Sequence, residues 1–207
     1  DVTLTDIGGH SSETVDIEGA TVTVGVIGNA DEIKSIALDG STKVKLTGNI
    51  VTSNTTGNNI GITGPAEIAD DISLTTSANN GTITFSGAID SISTGAKDLT
   101  LVSAGGKIQV DGKIGFTTAL DVLKINDGVA GVAVIELSGI GKGTSGSEAA
   151  GAAATDIGHT KTKGIDLGGG YYHTSGAIKL TTAANDGAGS PNTDIIDFEE
   201  ATTLVTA

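Results

Sequence analysis

The chain has 207 residues, a formal net charge of −14, 32 glycines, no Cys, Met or Trp, and only three Phe and two Tyr. Its 11 basic residues are all lysines, so it lacks the positive footprint and the bidentate arginines that nucleic-acid binding draws on, and anionic membrane surfaces are disfavoured for the same reason. Without cysteine there is no disulfide framework and no thiolate ligand or nucleophile, and no apolar run approaches the ~18 residues of a membrane-spanning helix.

Few large side chains remain to fill a thick core, so small β-branched residues must do the packing. Val, Ile and Thr are stiff at χ1 and favour strands, which predicts a nearly all-β fold. In chain order, the first segment is "DVTLTDI" (residues 1–7). A start at Asp1 rather than methionine is expected of a processed product or an excerpt of a longer chain. Apolar residues then stand two apart in "TVTVGVIG" (21–28), "KVKLTGNI" (43–50), "DISLTT" (71–76), "TITFSGAI" (82–89), "DLTLV" (98–102), "KIQVDGKI" (107–114), "VAVIELSGI" (132–140) and "AIKLTTA" (177–183). Period two buries one face and wets the other, so these are short strands. Asn, Asp and Gly corners at 29–32, 38–41, 79–81, 126–128 and 185–189 separate them.

Such corners serve antiparallel hairpins and parallel coils alike, so spacing has to decide. "GTITFSGAID" and "GKIQVDGKIG" begin 25 residues apart, at Gly81 and Gly106, and align Gly87 with Gly112 and Ile89 with Ile114. Leu99 and Leu101 then fall near Val122 and Ile125 after a slip of one or two residues. A further copy begins near Val132, a looser one near Gly40, and Val22 precedes Val44 by 22 residues. A repeat of about twenty to fifty residues marks a solenoid, whose unit cannot bury its apolar face alone. The expectation is a right-handed parallel β-solenoid of about 22–26 residues per coil, with like residues stacked ~4.8 Å apart. The alternative fold is a pair of antiparallel β-sandwich modules. The solenoid reading divides the chain into a repeat array (1–140), a Gly/Ala/Ser-rich loop or linker (141–164), and terminal coils with a C-terminal cap or assembly segment (165–207).

"ISLTTSANNGTITFSGAIDS", "DLTLVSAGGKIQVDGKIG" and "GIDLGGGYYHTSGAIKLTTAAND" resemble the β-strand repeats of large bacterial exoproteins of the filamentous-haemagglutinin and autotransporter-adhesin kind. The resemblance covers roughly residues 43–186. It implies a β-solenoid in a secreted or surface-anchored bacterial protein.

Residues with chemistry are sparse. Asp70, Asp71, Asp127 and Asp186 are the candidate calcium ligands, although none sits in a D-x-[DN]-x-[DN]-G loop, and the simpler reading is a turn residue bonded to its own backbone. His10, His159 and His173 lack zinc-site spacing, and Glu199 and Glu200 are adjacent, a poor geometry for paired acid/base work on a strand. "IGKGTSGS" (140–147) has the composition of a phosphate loop without its order, and "GGGYYHTSG" (168–176) reads as a sharp corner whose rings cover an exposed solenoid edge, in preference to a ligand platform. Asn54 and Asn80 begin N-x-[ST] triplets, candidate glycosylation sites in an exported protein.

A solenoid's two ends are open edges. Val2, Leu4 and Ile7 at one end, and Ile195, Ile196, Phe198, Leu204 and Val205 at the other, are the expected self-assembly residues. Homo-polymerisation, or neighbouring coils of a longer chain, would cover them. The functional expectation is a noncatalytic, cofactor-free structural protein of an extracellular or cell-surface assembly. The alternatives are an adhesin module that binds carbohydrate or a host surface, and, third, a polysaccharide-cleaving β-helix enzyme.

Overall fold

The computed structural model describes residues 1–9, 12–28, 32–53, 56–76, 81–93, 97–103, 106–115, 117–118, 120 and 123–125 with their side chains, and residues 133–140, 154–157, 165–167, 170–174, 177–180, 196–198 and 202–206 as backbone strands. No helix occurs among them, and every strand pairing is parallel. The fold is a parallel β-solenoid, and the antiparallel alternative is ruled out.

The pairings sort the strands into three ladders, one per face of the coil. Face one stacks residues 14–19, 35–40, 60–63, 82–85, 107–110, 133–137, 170–174 and 202–206. Face two stacks Val2–Ile7 under residues 21–27, followed by 43–46, Ala66–Ile68, Ile89–Ser91 and the ends of the strands Lys107–Ile114 and Ala133–Ile140. Face three stacks Ile50–Thr52, Ile72–Thr76, Leu99–Val102, Leu123–Ile125, Ile165–Leu167 and Ile196–Phe198.

Residues in register form columns that run the length of the coil. One column on face one is Val15, Ile36, Ile60, Ile83, Ile108, Ile135, Tyr172 and Leu204 in register. Another starts at the end of face two with Ile7 and Ile27 and continues along face three as Ile50, Leu74, Leu101, Ile125, Leu167 and Phe198. Where side chains are described, from Ile27 and Ile36 as far as residue 125, these columns are 0–2% exposed. Each such side chain contributes roughly 1.5–3 kcal/mol by leaving water. Phe85, the one buried aromatic among the described residues, fills the middle of the column Leu38, Ile62, Phe85, Val110.

Coil length is as variable as the unequal sequence copies imply. Val22 pairs with Val44, Ile60 with Ile83 and Ile83 with Ile108, at spacings of 22, 23 and 25 residues. Leu99 meets Leu123 rather than Val122, while Leu101 meets Ile125 as aligned. Further along, Ile135 pairs with Tyr172, a coil of 37 residues that takes in the expected loop 141–164. Within that stretch Ala154–Ile157 is a strand, which pairs with Ala177–Leu180 in a separate two-stranded parallel sheet. The rest of 141–164 lies outside the described residues.

Candidate assembly edge

At the N-terminal end the columns stop with nothing over them among the described residues. Val2–Ile7 pairs only with residues 22–27, and residues 14–19 only with 35–40. Each of these two strand segments therefore keeps one row of backbone N–H and C=O groups unpaired by another strand. The side chains record the same asymmetry. Val2, Leu4, Ile7, Val15 and Ile17 are half-buried, whereas Val22, Val24, Ile27, Ile36 and Leu38, one coil further in, are 0–2% exposed. The two sets hold the same ladder positions and differ in whether a coil lies on both sides.

Val2, Leu4 and Ile7 were expected at this rim. Val15 and Ile17 were not, because "TVDIEG" alternates like any strand; only its place 21 residues before "SIALDG" (35–40) identifies it as the outermost rung of face one. At the far end Ile196 and Phe198 lie on the last rung of face three, and Leu204 and Val205 on the last rung of face one. Ile195 lies outside the described residues.

The rim is acidic. Asp1, Asp6, Glu13, Asp16 and Glu18 are all exposed, and Glu18 stacks beside the like-charged Asp39. Lysines appear only beyond residue 33, where the Lys43 ammonium donates to the Glu67 carboxylate at 2.6 Å and Lys45 approaches it at 3.7 Å from the neighbouring rung.

The calcium candidates Asp70 and Asp71 brace a corner. Asp70 Oδ1 accepts from Lys97 Nζ at 2.9 Å and from the Asp71 backbone N–H at 3.0 Å. The Lys97 hydrogen bond, helped by the one from Asp71, lowers the Asp70 carboxyl below its ordinary pKa, and the same contact raises that of Lys97. Asp71 Oδ1 accepts the Asp98 N–H at 3.1 Å, so it bonds one coil onward. Among the described residues no three His, Asp or Glu side chains converge. Asp127, Asp186, Asn54, Asn80, His10, His159, Glu199, Glu200 and the segment 140–147, apart from Ile140, lie outside the described residues; His173 is described as backbone on the rung Gly170–Thr174, opposite Glu136 and Val205.

No protein-family model matches the chain, and neither a curated protein nor a solved structure does.

Proposed function

We propose that this protein is a noncatalytic structural building block of an extracellular bacterial surface assembly, a fibre, tubule, sheath or adhesin stalk lengthened by stacking rung upon rung. The observation that carries this reading is the stack itself: in columns such as Ile36, Ile60, Ile83 and Ile108 each aliphatic side chain is sealed by the coils on either side of it. A unit that buries its apolar face only against its neighbours is suited to lengthening, because an uncovered apolar rung recruits further strands. The resemblance of the quoted segments to exoprotein repeats supports the extracellular, bacterial setting. The bracing roles of Glu67, Asp70 and Asp71 support a noncatalytic use of these carboxylates.

Electron microscopy and sedimentation of the purified protein, across salt concentration, test the proposal. Rods or filaments one solenoid wide are expected. A monodisperse monomer at every salt and protein concentration would overturn it.

A further inference from the structure

The stacked columns are aliphatic, but the corner between faces three and one is not. In one coil it carries Thr52 and Asn58, and in the next Thr76 and Gly81. Thr52 pairs with Thr76, while Asn58 and Gly81 each stand two residues before the paired Ile60 and Ile83. Thr52, Asn58 and Thr76 are all 0% exposed. The Thr52 hydroxyl donates to the Asn58 carbonyl oxygen at 3.3 Å. The Asn58 carboxamide nitrogen and oxygen and the Thr76 hydroxyl have no hydrogen-bond partner within the protein.

These unmet atoms converge. A Cβ on Gly81 would lie 2.5 Å from Asn58 Oδ1 and 2.6 Å from Thr76 Cβ, so both side chains border the place that a larger residue would take. Asn58 Oδ1 thus lies against the next coil, beside Thr76. A buried amide and hydroxyl left unmet cost more than an ordinary hydrogen bond returns, and native interiors meet such groups with protein or with ordered water.

The chemistry of the atoms selects the guest. Nδ2 only donates, Oδ1 only accepts, and the hydroxyl does either. A cation would satisfy the oxygens and set positive charge against the amide hydrogens. An anion would serve Nδ2 and oppose Oδ1. Water donates and accepts, and it is held by two to four polar partners.

We infer that the corner bordered by Asn58, Thr76 and Gly81 is a buried water-binding site, in which one ordered water bridges the Asn58 carboxamide and the Thr76 hydroxyl and so ties two successive coils together from the inside. The bridge lies within one chain and is the same whether or not the protein assembles.

Two measurements on the full chain test it. In NMR of the isotope-labelled protein, in solution or in the solid state, the Asn58 side-chain amide hydrogens should show a direct cross-relaxation peak to a water held for longer than the protein tumbles. Thr76→Val then removes the hydroxyl at nearly constant shape. A bridged hydroxyl and an unpartnered one respond to this change in opposite directions. Losing the bridge strands the carboxamide, so the folding equilibrium constant should fall about tenfold, read from the urea midpoint, and the water peak of Asn58 should weaken. A T76V protein as stable as the wild type, or more so, would overturn the site, because removing an unpartnered buried hydroxyl relieves a penalty. So would a wild-type Asn58 carboxamide without water contact, a result that does not depend on the variant folding.

Discussion

Glycine at the corner between faces one and two shows how a single position is constrained by the coil beneath it. Gly40, Gly64, Gly87 and Gly112 form a column there. A Cβ on Gly64 would run into the carbonyl oxygen of Gly40, one on Gly87 into that of Gly64, and one on Gly112 into the backbone of Gly87. Backbone cannot yield as a side-chain tip can. Gly87→Ala should therefore lower stability by about 2 kcal/mol or more, read as a shift of the urea midpoint. Gly61→Ala is the matched control: it lies on a strand with negative φ, and the nearest atom to its Cβ would be the Ile36 carbonyl oxygen at 3.8 Å. That change should be neutral or stabilising by up to about 1 kcal/mol. Equal losses at the two glycines would remove the stacking explanation. In the sequence Gly87 and Gly112 were visible as a match at 25 residues, but nothing there distinguished a crowded glycine from an ordinary turn residue.

At the scale of the strand and its corner, the coils are joined by side chains as well as by ladders. Asn49 Oδ1 accepts the Ser73 N–H at 2.8 Å, and Asn59 Oδ1 accepts the Thr82 N–H at 2.9 Å. Asp90 Oδ1 takes the N–H groups of both Thr117 and Thr118 at 2.9 Å. Each carboxamide or carboxylate reaches one coil onward, satisfying backbone donors where the ladder is interrupted at a corner. Asn49→Ala leaves the Ser73 N–H to water and should cost about 1 kcal/mol, measured by the same unfolding midpoint. No loss would mean that water replaces the bond without penalty. Alternation predicted the inward aliphatics of these strands, but it could not predict that Thr52 and Thr76 also point inward. They stack at 0% exposure beside buried Asn58, with the Thr52 hydroxyl donating to the Asn58 carbonyl oxygen at 3.3 Å. Thr suits either face of a strand, so only the register assigns it one.

Over the whole molecule, each coil touches its neighbours and little else, so stability accumulates along one axis and falls away at an uncovered end. Hydrogen exchange at low salt should show this gradient. Amides of Val2–Ile7 should exchange at least about a hundredfold faster than those of Ile60–Thr63 and Thr82–Phe85, which are paired on both sides. Uniform protection from the rim to the centre would contradict a one-dimensional stack.

The sequence by itself determined the all-β class, the period-two strands, the coil length and the pairing of Ile89 with Ile114, because aliphatic alternation and repeat spacing are local quantities. It also set which ends are acidic. Tertiary structure bore out the parallel direction expected from the spacing, and it alone decided that the strands form three ladders, that Val15 and Ile17 lie on the outermost described rung of face one, and that Asp71 reaches its next coil. Asn, Asp and Gly corners fit hairpins and coils equally well. The repeat spacing pointed to the coil, and stacking, which brings residues a full coil apart within hydrogen-bonding distance, settles it.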